Sequence, residues 1–343
     1  MNIRIISKHV GVIVGMVFAA ILLPNFTSCD RLQEDLPECV GGLRLRFVYD
    51  YNMEFANAFP SQVDCLTVLF YDKDGNYVAT RTNESPDLAD ENWRMEVDLA
   101  PGDYDVLAYG GMECHDSSFS FVTSPESTKY EDVMVRLDSR NLSRPNGVSL
   151  HPLFYGRASV TVEDPSENLG YKEATVSMIK DTNNLRVILQ QIDGEPLDNS
   201  QFDFVVTDDN TLFAYDNNLL PQPEVEYWPW ARGNASPGEL PDGSASSVVY
   251  AELSFPRLVT SNSPRLLITR KSDGMKVIDI PLNNYLLLLK SELFASMPSQ
   301  EFLDRESRWS LLFFLDRSNV WIKTQIVIND WVVRINDIDG LGW

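Results

Sequence analysis

The chain has 343 residues, with 28 Lys and Arg against 50 Asp and Glu, for a formal net charge of −22. Its 44% hydrophobic and 23% charged residues describe a globular chain, long enough to bury two cores. The acidic balance speaks against nucleic acid, whose phosphates require clustered Lys and Arg, and three histidines leave little for His-rich metal centres or acid–base chemistry.

The N-terminus, MNIRIISKHV, carries Arg4 and Lys8 and has no acid before Asp30. An apolar run from Val10 to Leu23 follows and is closed by Pro24. A positive segment before a short apolar one is the layout of a secretory signal, and the run falls short of the about 20 residues a spanning helix needs. Thr27 and Ser28 place small residues directly before Cys29, which resembles a bacterial lipobox, although Phe26 stands where an aliphatic residue is usual. The motif predicts a signal peptide over 1–28 and acylation of Cys29; ordinary cleavage near Ser28 would leave Cys29 merely adjacent. The mature chain would then keep 26 basic residues against 50 acidic ones. Acyl chains contribute about 0.8 kcal/mol per buried CH₂, so two or more anchor firmly. The acidic, proline-bearing stretch 29–42 reads as a tether that lifts the folded part off the lipid surface. Cys39, Cys65 and Cys114 remain. An oxidising compartment permits one disulfide among them and leaves one thiol over. Cys39 with Cys65 or Cys114 would pin the tether to the first sheet, and buried free thiols are the alternative.

From Leu43 onward the apolar period is mostly two. The run Val63–Tyr71, the turn Asp72-Lys73-Asp74-Gly75 and the return Asn76–Thr80 predict a hairpin. Trp93, Met95, Val97 and Leu99 alternate with polar residues, Pro101-Gly102 turns the chain, and Tyr104, Val106 and Ala108 alternate again, predicting a second hairpin. Residues 116–150 are weakly patterned and read as loops and edge strands. Ala158, Val160 and Val162 form another strand, and Glu163–Asn168 is the best candidate linker. Domains are therefore expected at 43–164 and 165–343. In the second, Leu185–Leu189 and Phe202–Val206 read as strands, and 231–247 as a long Gly-, Pro- and Ser-rich loop. Leu266–Arg270 with Val277–Ile280 form a hairpin, Tyr285–Phe294 a short helix, and Gln300–Glu306 a turn or single helical turn. Trp309–Leu315 and Trp321–Ile335 close the chain as strands. In the last run the apolar parity flips across Asn329-Asp330, which predicts a bulge or break there and frees Trp331–Trp343 to pair elsewhere.

No nucleophile elbow, phosphate loop, zinc-protease helix or Cys-x-x-Cys pair occurs. His115 and His151 sit in no triad-like context and read as surface or packing residues. Asp72-x-Asp74-Gly75 lacks the glycine and glutamate spacing of a calcium loop, so a hairpin turn is the better reading. Tyr227-Trp228-Pro229-Trp230 could serve as a carbohydrate platform or cover a sandwich edge. Glu301, Asp304 and Glu306 could be imagined as a glycosidase pair, but with no supporting feature they read as solvated turn acids. No enzyme, cofactor or metal is expected.

The ordered motifs resemble a family. They are Cys29-Asp30-x-Leu32-x-Glu34-Asp35-Leu36-Pro37-x-Cys39, then Gly42-Leu43-x-Leu45-x-Phe47-x-Tyr49-Asp50-Tyr51-Asn52, Leu69-Phe70-Tyr71-Asp72 and Leu99-x-Pro101-Gly102-x-Tyr104. Leu153-Phe154-Tyr155-Gly156, Asp279-Ile280-Pro281-Leu282, Gln300–Glu306 and Phe313-Phe314-Leu315-Asp316 continue the series. Together they are similar to the FimB-type fimbrial anchoring lipoproteins, nearest to the minor-fimbrium type. The resemblance implies a mainly β chain, with two transthyretin-like β-sandwich domains in tandem and few short helices. It also implies a non-enzymatic outer-membrane lipoprotein at the base of a fimbrium, held through Cys29, limiting fibre length and joined to a fimbrial stalk subunit by strand addition. The parity flip suggests that Trp331, Val333 and Ile335 contact that partner as a donated strand; completing its own sandwich is the alternative. A surface glycan-binding or adhesin lipoprotein is the competing function.

Overall fold

The computed structural model describes residues 41–114, 116–142, 144, 146–164, 170–236, 247–328 and 331–334, with the backbone alone beyond Ile322. The chain is mainly β, as expected. Strands β1 (Gly41–Val48), β2 (Cys65–Asp72), β3 (Tyr77–Glu84), β4 (Met95–Val97) and β5 (Gly102–Gly110) come first, with helix α1 (Phe59–Gln62) between β1 and β2. Two short strands, β6 (Phe119–Phe121) and β7 (Met134–Leu137), precede β8 (Phe154–Val162) and β9 (Gly170–Lys180). Leaving out β6 and β7, these strands form a seven-stranded sheet in the order β3-β2-β5-β8-β9-β1-β4.

That sheet folds over on itself. β8 and β9 pair only between Phe154–Gly156 and Met178–Lys180; beyond that β8 follows β5, while β9 runs parallel to β1. The two halves enclose a core of Leu43, Leu45 and Phe47 from β1, Met95 and Val97 from β4, and Leu66, Val68, Phe70, Val106 and Ala108 from β2 and β5. Each fully buried aliphatic or aromatic side chain contributes about 1.5–3 kcal/mol before ordering entropy is subtracted. The intervening residues Leu69, Tyr71, Leu107 and Tyr109 point away from this core into a second one. β2 is therefore buried on both faces, which is why its sequence is a continuous apolar run and not an alternation.

The first hairpin is as expected, β2 with β3. Its turn is held by the Asp72 carboxylate, which accepts the amides of Asp74 at 2.9 Å and Asn76 at 2.8 Å. The second hairpin is not formed. β4 pairs with β1 and β5 with β2 and β8, so the two strands face each other across the core. Alternation tells which face of a strand is apolar; it does not tell which strand lies alongside. The candidate linker is also corrected, because 163–169 joins β8 and β9 of one sheet. The strand Gly170–Lys180 belongs with the first unit, and the chain passes to the second at Asp181, not at 164/165.

The second half contains β10 (Thr182–Gln191), β11 (Phe202–Asp208), β12 (Leu212–Ala214), β13 (Val225–Tyr227), β14 (Ala231–Ala235) and β15 (Val248–Pro256). β16 (Arg265–Arg270), β17 (Lys276–Pro281), β18 (Arg308–Leu315), β19 (Trp321–Ile328) and β20 (Trp331–Arg334) follow. They build a six-stranded sheet, β14-β15-β10-β18-β19-β20, facing a four-stranded one, β13-β11-β16-β17. Part of the expected loop 231–247 is thus strand β14, paired with β15. Helix α2 (Leu282–Leu287) buries Leu282, Tyr285 and Leu286 at helical spacing. It is shorter than the expected helix over 285–294: the amides of Leu288, Leu289 and Lys290 bond three residues back, tightening and ending the coil, and a separate turn covers Glu292–Phe294. Helix α3 (Ser299–Arg305) forms where one turn was expected.

The two units share one wiring. In the first, the first strand pairs antiparallel with β4 and parallel with the last strand, β9; in the second, β10 pairs antiparallel with β15 and parallel with β18. The opposing order β3-β2-β5-β8 corresponds strand for strand, and in chain order, to β13-β11-β16-β17. Three additions depart from this repeat, the first being β14, which pairs with β15 and has no counterpart in the first unit. A three-stranded sheet, β12-β7-β6, takes β12 from the second half and so stitches the units together. The third addition is the hairpin β19–β20, which extends beyond β18, where the repeat ends.

Candidate assembly site

The added hairpin forms one edge of the six-stranded sheet. β19 pairs antiparallel with β20 from Gln325↔Arg334 to Ile328↔Trp331, so the strand breaks at the predicted place, and the apolar parity changes because the chain reverses direction. Trp321 anchors the hairpin's start. Its ring lies 5.8 Å from Phe313 in an edge-on contact and 5.9 Å from Tyr285. Val320 and Ile322 beside it are 46% and 49% exposed, an apolar margin at the rim. Trp331 and Val333 lie on β20, which pairs with its own sheet through β19; Ile335 lies outside the described residues.

The aromatic cluster divides by depth. Tyr227 is core, and its hydroxyl donates to Asn210 Oδ1 at 2.6 Å. Trp228 is half-buried, donating its indole N–H to Glu226 at 3.1 Å with the Arg144 guanidinium 5.8 Å above the ring. Of these three, Trp230 is the exposed one, at 43%.

The acids read from sequence as solvated are partly interior. Glu301 pairs with Arg305 at 2.7 Å on α3, but Asp304 and Glu306 are buried. Glu306 accepts the amides of Ser307 and Arg308, and burial raises its pKa. Asp304 receives a two-point bond from Arg257, Nε at 2.7 Å and Nη2 at 2.8 Å, and a third from Gln300 at 2.9 Å. The carboxyl pair imagined for sugar hydrolysis is thereby engaged in structural bonds. Arg257 also donates to Asn217 O at 2.9 Å and stands 3.9 Å from Asp181, the residue at the passage between units. Asp181 is fully buried; Asn217 donates to its Oδ1 at 3.0 Å, and Oδ2 has no partner. On the same face, the Arg305 guanidinium sits 4.1 Å over Tyr51 and 4.6 Å over Phe55, and it donates to the carbonyls of Asp50 and Asn52. Helix α3 of the second unit is thus clamped to the first unit's loop. Sequence reasoning missed Arg257, Asp181 and this use of Arg305; an acid lodged between two strand-forming runs was the one available signal.

Burial pushes the Asp181 pKa up from 3.8 to about 7, against the opposing pull of Arg257 and Asn217. Unfolded, the group loses its proton near 3.8; folded, it keeps it to about 7. Across that window the unfolded chain binds fewer protons, so this group makes stability fall as pH rises. Asp181→Asn should therefore flatten the fall of the urea midpoint between about pH 4 and about pH 7. Parallel pH profiles for wild type and variant would refute the assignment.

Of the cysteines, Cys29 and Cys39 lie outside the described residues, and Cys65 is bonded to Cys114, with Cα atoms 6.3 Å apart. The partner of Cys65 is thus Cys114, one of the pairings that the sequence left open among Cys39, Cys65 and Cys114. Beside the disulfide, His151 Nε2 is 3.1 Å from Asp64 Oδ1, and the ligating atoms of Asp64, Cys65, Cys114 and His151 all lie within 4.8 Å of one another. His115 is outside the described residues. Among the described residues, no helix is long and apolar enough to cross a membrane.

A candidate adhesin from Bacteroides thetaiotaomicron VPI-5482 is 54% identical to this chain, covering 86% of it and 98% of its own length, with a TM-score of 0.79. A candidate polysaccharide-binding protein from the same organism is 30% identical, covers 87% and 99%, and superposes with a TM-score of 0.72. The fimbrial anchor protein Mfa2 from Porphyromonas gingivalis, 16% identical over 86% of this chain and 99% of its own, shares the fold at a TM-score of 0.62. No curated protein sequence matches the chain. The family model of the fimbrillin-A associated anchor proteins Mfa1 and Mfa2 matches residues 35–337, a span that contains all the described residues. The chain therefore belongs to the family of fimbrillin-A associated anchor proteins, as its ordered motifs led us to expect.

Proposed function

We propose that the protein holds a fimbrium to the outer membrane, with acylated Cys29 at one end and a fimbrial stalk subunit joined at the other by strand addition at β20. It thereby sits at the fibre's base and limits its length. The carrying observation is the hairpin β19–β20, added beyond the repeated wiring and ending the sheet on a four-residue strand. A strand edge of this kind recruits partners through main-chain hydrogen bonds, with side chains on alternate positions for specificity. The contact in this reading is the free side of β20, with Trp331 and Val333, whose other side is paired to β19; Ile335 lies outside the described residues. The role is mechanical, not catalytic, consistent with the engagement of Asp304, Glu301 and Glu306 in internal bonds.

Cys29→Ala should abolish labelling with a palmitate analogue and release fimbriae into the medium. Fibres that stay cell-bound would refute the anchor. Truncation after Asn329 should leave a folded protein that no longer retains fimbrial subunits; retained binding would remove the strand from the mechanism while leaving the lipid anchor intact.

A second reading, surface glycan binding, is favoured by the exposed Trp230 beside Trp228 and by the 30% identical candidate polysaccharide-binding relative. It expects Trp230→Ala to abolish signals on a glycan array; an array blank for the wild type would dismiss it.

A further inference from the structure

We propose that the Cys65–Cys114 disulfide masks a zinc-class metal site, which its two cysteines form with His151 and Asp64 once the bond is reduced. Three segments meet here. Asp64 and Cys65 enter β2, Cys114 follows the loop after β5, and His151 lies just before β8. The loop can approach this closely because Gly111 adopts φ +81° and carries no side chain; a Cβ there would lie 1.9 Å from Pro152 O. Its amide is bonded to Cys65 O at 3.0 Å, and the Met112 carbonyl faces both sulfurs at 3.5 Å.

The donor set is two thiolates, an imidazole and a carboxylate, which suits a four-coordinate thiophilic ion. In tetrahedral coordination, with metal–sulfur bonds of about 2.3 Å and metal–nitrogen bonds of about 2.0–2.1 Å, neighbouring ligand atoms stand roughly 3.5–3.8 Å apart. The four groups already lie inside 4.8 Å, so the main change needed is for the two sulfurs to part. His151 is positioned for the role: its backbone amide donates to Ser118 Oγ at 2.9 Å, and its Nε2 is turned to the Asp64 carboxylate. Cys65 is buried, Cys114 and His151 are half-buried and Asp64 is exposed, so an ion has a route in from the carboxylate side.

The chemistry balances with a dithiol reductant. The dithiol gives two electrons and two protons to the Cys65–Cys114 bond and becomes a cyclic disulfide; two thiols remain. Binding of the divalent ion then releases both thiol protons. One cluster would have two mutually exclusive staples, a disulfide under oxidising conditions and a metal under reducing ones, each joining β2 to the loop after β5.

The test uses the full chain, reduced with a dithiol, exchanged into reductant-free buffer without air and titrated with Co²⁺ and then Zn²⁺. We expect about one equivalent of Co²⁺ per chain, with a thiolate-to-cobalt charge-transfer band that Zn²⁺ bleaches, and no band in the oxidised protein. The double variant Cys65→Ser/Cys114→Ser, which keeps Cys29 and Cys39, should lose the band. His151→Ala should weaken binding by more than the roughly 10–100-fold that loss of an outer partner costs. Should the reduced protein unfold, Zn²⁺ should restore its circular dichroism and raise its melting temperature. A band surviving in the double cysteine variant would overturn the site. So would a reduced chain that shows no band, or one that unfolds and is not restored by Zn²⁺. Unchanged affinity in His151→Ala would exclude the histidine and with it the proposed donor set.

Discussion

Above about pH 7, where Asp181 is ionised, Arg257→Met is expected to destabilise the protein by about 3–5 kcal/mol, because it strands two interior carboxylates. Asp304 would lose its two-point partner, and Asp181, fully buried, would lose the nearest positive charge. The lost packing of the guanidinium stem contributes less, since methionine fills much of the same space. A second variant separates these causes. Adding Asp181→Asn and Asp304→Asn to Arg257→Met removes the uncompensated charge and should recover most of the loss in urea unfolding. If the triple variant is as unstable as the single one, packing and not charge is the reason Arg257 matters. The position makes the effect larger than a local one, because the Arg257 cluster and the neighbouring Arg305 clamp both lie where the chain passes from β9 to β10. A broadened or two-step unfolding curve for the single variant is the accompanying expectation.

Cys65→Ala with Cys114→Ala should cost about 4 kcal/mol, chiefly by freeing the unfolded chain. The two residues are 49 positions apart, and the loop they close runs through β2, β3, β4 and β5, four strands of the first sheet. Alanine leaves no new buried hydroxyl at Cys65, so the loss measures the cross-link and not an unsatisfied polar group. Guanidinium unfolding of variant and oxidised wild type gives the difference. A loss below about 1 kcal/mol would mean that the unfolded first unit is already held compact without the bond.

Much of the architecture could be read from periodicity. The hairpin β2–β3, the hairpin β16–β17, the strands β10, β11 and β18, and the break before Trp331 all carry local signals of turn chemistry or alternation. What failed was pairing. Met95 and Val97 alternate as well as Val106 and Ala108 do, yet these strands lie across a core from each other. The polar stretch after Val162 looked like a boundary because polarity marks exposure, and a connection within one sheet is as exposed as one between domains. The candidate site was legible in part. Trp331 and Val333 were singled out by parity, and the Tyr227–Trp230 cluster by composition, which could not tell that Tyr227 packs into the core against Phe255 and bonds Asn210. The Arg257 cluster was invisible, because its members come from positions 181, 217, 257, 300 and 304, which only the packed fold brings together.

The parallel pairing of each unit's first strand with its last has a mechanical consequence. The chain enters β1 at Gly41 and leaves β9 at Lys180, at opposite ends of a ladder of eight paired residues. It enters β10 at Thr182 and leaves β18 at Leu315, again at opposite ends of eight paired residues. Tension that reaches the two ends of either ladder tries to slide the strands past each other, stretching all the rungs together, whereas a hairpin such as β2–β3, or β19–β20 on the C-terminal side, opens one rung at a time and yields first. Forced unfolding along the end-to-end axis should be slow for both units in series. A tow-line is strongest along its own length, and in this chain that direction is set by strand order.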